Sequence, residues 1–277
     1  MPKPDLHLHS TFSDGLLTPE EIVTLAIQAH LPAIAITDHD CIDGVKPAQS
    51  AAAGTGLLVI PAVELSATYD GRSLHILGYH IAITSERLRA RLADLRSARL
   101  ERARIIVDAL RAGGYELDPD DILRPSSEGV VGRAHIARQL VEQGIARDMD
   151  DAFRRFLADD APYYVPKPST PAVAAISWVI ESGGVPVLAH PGLSRVDDLI
   201  PALVDHGLAG LEAYHASHDP GTATRYVEMA ERYDLIVTGG SDFHGSEREG
   251  GPIGSSGAPD GAIRRLEAAR IRREGSR

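Results

Sequence analysis

Twelve histidines are spread along this 277-residue chain, and their placement says more than their number. His7 and His9 are two apart in Asp5-Leu6-His7-Leu8-His9-Ser10, so on a strand both side chains project from one face. Asp14 follows in the next loop, and His39 stands in Thr37-Asp38-His39-Asp40. Glu64 closes a third apolar run and His75 lies in a fourth. His190 belongs to Ala189-His190-Pro191-Gly192, and Asp242 and His244 belong to Gly240-Ser241-Asp242-Phe243-His244-Gly245. Three carboxylates buried together without counter-charge would repel one another and lose solvation, and divalent cations remove both penalties. Mixed nitrogen and oxygen ligands suit Mn²⁺, Zn²⁺ or Fe²⁺ better than Ca²⁺. Any one of these histidines alone reads equally well as an ordinary loop or core residue; the set does not. His30, His80 and His206 lack such company and read as structural.

Side chains so far apart in sequence need a scaffold that gathers them. Short apolar runs alternate with helical patterns, the signature of βα units and a mostly parallel sheet. Seven strands are expected: Asp5 to Ser10, Ala33 to Thr37, Leu57 to Leu65, Ser73 to His80, Val185 to His190, Gly210 to Tyr214 and Leu235 to Asp242. Nearly all the candidate ligands fall at or near C-terminal strand ends, which converge on one mouth in a closed parallel barrel. The first helix is capped by Thr18, carries Pro19 at its first position, completes a capping box with Glu21 and stops before Pro32. From 85 to 168 the chain is rich in arginine, reads helical and holds no convincing strand. It is expected to be a helical insertion capping a barrel built from 1–84 and 169–277. After Gly250 come a glycine-rich loop and a short basic helix near Ile263 to Arg273.

Composition sets outer limits. A hydrophobic content of 43% can fill a sizeable core, and a formal net charge of -11 argues against non-specific wrapping of nucleic acid. Cys41 is the only cysteine, so an intramolecular disulfide is excluded and a reducing compartment fits. The opening MPKPDLHLHS has neither a signal-peptide apolar run nor a membrane-length stretch. The expectation is a cytoplasmic protein with no membrane contact and no obligate protein partner.

The order His-x-His, Thr-Asp-His-Asp, Glu64, His75, Ala-His-Pro-Gly and Gly-Ser-Asp-x-His resembles the PHP family of metal-dependent phosphoesterases over nearly the whole chain. The resemblance implies an α/β fold, a distorted (β/α)₇ TIM-like barrel with the insertion between strands 4 and 5. It implies two to three divalent ions, Mn²⁺ first. One would be held by His7, His9, Glu64 and Asp242, a second by Glu64, His75 and His190, and a third by Asp14, His39 and His244. Many relatives carry histidine where this chain has Asp14. Within the family the chain is most similar to the branch that removes the 3′-phosphate of 3′,5′-bisphosphonucleotides, converting pAp to AMP and phosphate. Some members of that branch are 5′-to-3′ exonucleases on short RNA. The matching features are Ser13-Asp14-Gly15, the helix segment Arg99-Leu100-Glu101-Arg102-Ala103-Arg104, and Arg133-Ala134-His135-Ile136-Ala137-Arg138; Leu193 stands where relatives often carry arginine.

In the insertion, Leu88, Leu92, Leu95, Ile106 and Ala109 share one helix face, and Arg99 and Arg102 occupy that face where leucine would be expected. Their stems could cover core while their heads reach water. The alternative, favoured by the resemblance, is that the guanidinium groups bind substrate phosphate. Arg133 and His135, at the start of a further helix, join this expected substrate set with Asp14. His218 is a candidate for substrate contact or proton transfer. Catalysis is expected to centre on Glu64 and Asp14, with hydroxide held between the two ions that share Glu64 attacking phosphorus in line. Histidinol phosphate or short RNA ends are alternative substrates. A different class, the amidohydrolase type, uses a carboxylated lysine as bridge. Here Lys3, Lys46 and Lys167 are the only lysines, and none is at an expected strand end. A closed non-catalytic metal module would draw its ligands from few segments. A serine nucleophile lacks its Gly-x-Ser-x-Gly elbow, and Cys41 is a lone thiol.

Overall fold

The computed structural model describes residues 2–123, 129–166, 170–245 and 250–275; Lys167 lies outside them. The strands are β1 (Asp5–Leu8), β2 (Ala33–Ile36), β3 (Leu58–Tyr69), β4 (Arg72–Tyr79), β5 (Thr170–Pro171), β6 (Val185–Leu188), β7 (Gly210–His215) and β8 (Ile236–Gly240). Seven of them curl in the order β1-β2-β3-β4-β6-β7-β8, and the two-residue β5 pairs with the end of β3. Beyond β8 the chain returns to β1: the Asp242 amide donates to the His7 carbonyl at 2.9 Å and the His9 amide to the Phe243 carbonyl at 2.9 Å. The sheet is thus a nearly closed barrel. All seven expected strands are present, and β5 is an addition.

One strand departs from the expected parallel order. β4 runs antiparallel to both β3 and β6, because Asp70 and Gly71 form a two-residue hairpin with φ of 50° and 74°. Positive φ at both central positions matches the right-handed twist of the flanking strands. His75 therefore lies in the first half of its strand, opposite Ser66, and still reaches the mouth because its strand is reversed.

The helices before β5 are α1 (Pro19–Gln28), α2 (Val45–Ala52), α3 (Glu86–Ala112), α4 (Pro119–Leu123), α5 (Arg133–Glu142) and α6 (Met149–Ala152). After β5 come α7 (Ala172–Glu181), α8 (Pro191–Ser194), α9 (Ile200–Asp205), α10 (Pro220–Arg232) and α11 (Ala262–Glu274). α1 opens with the expected capping box: Thr18 Oγ1 accepts from the Glu21 amide, and Glu21 accepts from the Thr18 amide at 2.8 Å. It lays Ile22, Val23 and Ala26 against Leu8, Ile34 and Ile36. α3 joins two cores. Leu88 and Leu92 pack with barrel residues such as Val63, Ile76 and Val179. From Ala103 onward the helix packs instead with Ile136, Leu140 and Phe156, in the apolar cluster of the helices between β4 and β5. Arg96, Arg99 and Arg102 occupy the joint, which is why arginine interrupts the leucine pattern there. No helix among the described residues is long and apolar enough to cross a membrane.

Barrel closure leaves no room at Gly240, where a Cβ would lie 2.3 Å from His7 Cβ. Gly240→Ala is expected to lower the melting temperature by roughly 4 °C or more, since overpacking costs about 1–3 kcal/mol. A melt matching wild type would mean that β1 and β8 have slack.

Candidate metal centre

Glu64 is buried near the end of β3's barrel segment, and five imidazoles surround it. His39 Nδ1 and His75 Nδ1 each lie 2.8 Å from its oxygens, His190 Nε2 3.0 Å, His9 Nε2 3.3 Å and His7 Nε2 3.5 Å. Asp242 Oδ1 sits 3.1 Å from His9 Nε2 and 3.3 Å from His7 Nε2. Asp14 faces His244 Nε2 at 3.5 Å, His9 Nδ1 at 3.7 Å and His39 Nε2 at 3.8 Å. All nine expected ligand residues therefore meet at one mouth.

Their ligand atoms fall into compact groups: His9, Asp14, His39 and His244; His7, Glu64 and His190; His39, Glu64 and His75; His7, His215 and Asp242. Buried His7 Nε2, His9 Nε2, Asp14 Oδ1, His39 Nδ1 and Glu64 Oε2 have no hydrogen-bond partner among the described residues. Such orphaned lone pairs are costly unless a cation takes them. The donor set therefore fits divalent metal.

Electrostatics bind the cluster tightly. Burial opposes charge on His9, yet Asp242 and Glu64 push its pKa up to about 10. Burial likewise works against the ionised carboxylates, and the imidazoles overcome it: Glu64, Asp14 and Asp242 are held well below the usual carboxylate range. Three residues of the centre sit in the left-handed region, Asp40 (φ 49°), His190 (φ 27°) and Asp242 (φ 55°). Strained backbone of this kind persists where the surroundings over-determine it.

The surroundings that do so were not visible as a site in the sequence. Glu212, fully buried in β7, accepts from His7 Nδ1 at 3.0 Å and from the His190 amide at 2.9 Å. His7 is thereby fixed with its Nε2 lone pair facing Glu64 and Asp242. Asp5 accepts from the Ser241 amide and hydroxyl and the Gly254 amide, holding the turn beside Asp242; burial raises its pKa to about 6. Asp38 does the same for the loop before Asp14, through Ser10 and Ser13. His215 ends β7 with Nε2 3.4 Å from Asp242 Oδ2. Its Nδ1 accepts from the Ser217 amide at 3.1 Å, and its buried Nε2 has no hydrogen-bond partner among the described residues. The signal for Glu212 was a charged residue between Leu211 and Ala213 in an apolar run; His215 was lost by ending that strand at Tyr214.

The expected substrate residues divide. Arg102 is buried, donates Nε to the Val165 carbonyl at 2.7 Å, and leaves Nη2 without a partner among the described residues. Burial, then Arg133 and Arg99, lower its pKa to about 10. Arg133 donates to the Leu157 carbonyl and to Asp159 at 3.1 Å, and its guanidinium lies 5.8 Å from the Tyr164 ring. Three others are committed to protein groups, contrary to expectation. Arg99 donates Nε to Asp40 Oδ2 at 2.7 Å and Nη2 to Ser66 Oγ at 2.6 Å. His135 accepts from the Gly132 amide at 3.1 Å and bonds the Ser13 backbone. His218 donates Nδ1 to the Ala213 carbonyl and accepts from the Gly192 amide at Nε2, so neither nitrogen is available to move a proton.

Comparison with known proteins agrees with this geometry. The PHP domain family model matches residues 5–144. The 3′,5′-nucleoside bisphosphate phosphatase of Chromobacterium violaceum is 34% identical over 256 residues, 90% of each chain. The 5′-3′ exoribonuclease Rnm of Salmonella typhimurium is 36% identical over 247 residues, covering 87% of this chain and 84% of the other. A crystal structure from Bifidobacterium adolescentis, provisionally named a metal-dependent phosphoesterase, superposes with a TM-score of 0.89 at 33% identity over 98% of both chains.

Proposed function

The chain belongs to the PHP family of metal-dependent phosphoesterases, and from that premise we propose that it removes the 3′-phosphate of 3′,5′-bisphosphonucleotides such as pAp. His7, His9, Glu64 and Asp242 would hold one cation, Glu64, His75 and His190 a second, and Asp14, His39 and His244 a third. Mn²⁺ is the proposed ion. When bound, these cations supply an activated water and Lewis-acid neutralisation of the phosphoryl oxygens. Glu64 keeps its charge shared between neighbouring positions, and Glu212 keeps the His7 ring turned toward them. No side chain at the mouth is needed as a covalent nucleophile.

The observation that carries the nucleotide reading is Arg102. A buried guanidinium whose Nη2 has no partner among the described residues, crowded by two further arginines, is suited to an anion. It lies one helical turn beyond Arg99, which touches Asp40 beside His39 and Ser66 on the strand of Glu64. A ligand that satisfies both places carries two phosphates, one at the cations and one at Arg102 and Arg133. The insertion would then cap the bound nucleotide. The similarity to an exoribonuclease supports a second reading, in which the same two places take phosphates at the 5′ end of short RNA. The lone buried Cys41 suits a cytoplasmic setting.

The test is phosphate release from pAp, AMP, histidinol phosphate and 5′-phosphorylated dinucleotides after reconstitution with Mn²⁺, with an amide substrate as control. Preference for pAp is expected; equal rates on pAp and on histidinol phosphate would contradict the two-phosphate reading. Arg102→Ala is expected to raise KM for pAp about ten- to a hundred-fold, the worth of a charged hydrogen bond, while metal content stays unchanged. Unchanged KM would return Arg102 to a packing role.

A further inference from the structure

We infer that the helical insertion builds one of the three cation positions, the group formed by Asp14, His39 and His244 with His9, besides any part it plays in covering substrate. The inference rests on the reading that this group holds a cation, but not on which phosphate ester is the substrate.

The bracing of the mouth is asymmetric. The residues near His7, His190 and Asp242 are held by barrel groups: Glu212 takes the His7 ring and the His190 amide, Asp5 takes Ser241, and His218 takes Gly192. The two loops that carry His39 and Asp14 are held from both sides: the barrel ties them through the Asp40 amide to the Glu64 carbonyl and the Leu16 amide to the His244 carbonyl, each at 2.8 Å, and the insertion grips them from outside. Along α3, Arg89 and Arg96 reach Asp43 at 3.2 and 2.6 Å, and Arg99 reaches Asp40 at 2.7 Å. Asp40 is next to His39 and accepts from the Ser66 amide at 2.9 Å, so Arg99 ties the His39 loop to the strand of Glu64. On the Asp14 side, Arg138 of α5 donates to the Asp14 carbonyl at 2.5 Å. The Val130 amide donates to the Phe12 carbonyl at 2.9 Å, and His135 bonds the Ser13 backbone. The Asp38 carboxylate adds a further barrel-side brace through Ser10 and Ser13.

Asp14 comes from a loop and His39 from a single β-bridge to Glu64 just beyond β2, and His39 Nε2 lies 3.8 Å from Asp14 Oδ2. A cation between them needs both loops fixed to a fraction of an ångström, since supporting hydrogen bonds decide ligand orientation. Contacts from the insertion on both loops meet that need. Arg99 and Arg102, one turn apart on α3, thus have separate duties: Arg99 positions the metal centre and Arg102 receives the anion.

The experiment is Mn²⁺ titration of the metal-stripped full chain, with bound and free ion counted by electron paramagnetic resonance. Wild type is expected to take three ions. Arg99→Ala and Arg138→Ala are each expected to weaken one of the three at least tenfold and leave the other two as in wild type. Arg99→Lys should restore part of the loss. General loosening of the fold would weaken all three together, and Arg138→Ala, which leaves the buried Asp40 pair intact, guards against simple misfolding of the Arg99 variant. Three ions with wild-type affinities in both variants would overturn the inference, as would a wild-type chain that takes only two. If pAp proves not to be a substrate while the selective loss is observed, the proposed reaction fails and this inference stands.

Discussion

Glu64→Gln is expected to slow phosphate release by about a thousand-fold or more while the barrel stays folded. The change removes one charge and almost no volume, so the packing of β3 is undisturbed. Five imidazoles, however, lie within 3.5 Å of that carboxylate. A neutral amide cannot serve two cations at once, and it turns an N–H toward groups that must present lone pairs. Loss of one preorganised electrostatic group typically costs about a hundred- to a thousand-fold in turnover, and a shared ligand removes more than one such interaction. Kinetics with pAp at saturating Mn²⁺, together with a thermal melt, separate lost catalysis from lost fold. Wild-type turnover at equal metal content would show that Glu64 is not shared between cations.

The second large effect is expected at a residue that touches no substrate. Glu212→Ala leaves the His7 Nδ1 and the His190 amide without their acceptor in a fully buried place. The His7 ring is then free to change tautomer or rotate, and the turn carrying His190 loses its anchor. Outer partners of this kind are worth roughly ten- to a hundred-fold in metal affinity, and two ligands are affected here. Mn²⁺ affinity is expected to fall by about a hundred-fold. Glu212→Gln should recover a good part, because its amide oxygen can still accept from one of the two donors. Wild-type Mn²⁺ affinity in the alanine variant would mean that packing alone fixes these histidines.

Much of this was legible in the chain. The seven barrel strands stand out as apolar runs, and Glu64 and the eight residues around it could be picked out because imidazole and carboxylate recur at or near the ends of those runs. What escaped was pairing across distance. Asp70-Gly71 between two apolar runs is a hairpin signal, but the expectation of parallel βα units overrode it, so the reversal of β4 appears only in the fold. Arg99 reads as a phosphate ligand until its partner Asp40, 59 residues away, is seen beside it. His135 and His218 looked available for the same reason: the carbonyl and amide groups that occupy them come from other elements, such as Ala213 of β7 and Gly192 of α8, whose approach no periodicity reveals. Glu212 carries no motif at all; its role follows from the two donors that fold against it.

The central claim is that several cations sit side by side around Glu64. Crystals soaked in Mn²⁺ and measured for anomalous scattering test it most directly. Peaks are expected on either side of the Glu64 carboxylate and a third between Asp14, His39 and His244. A map with no peak among those side chains, from crystals that diffract well enough to show ordered sulfur, would contradict the account.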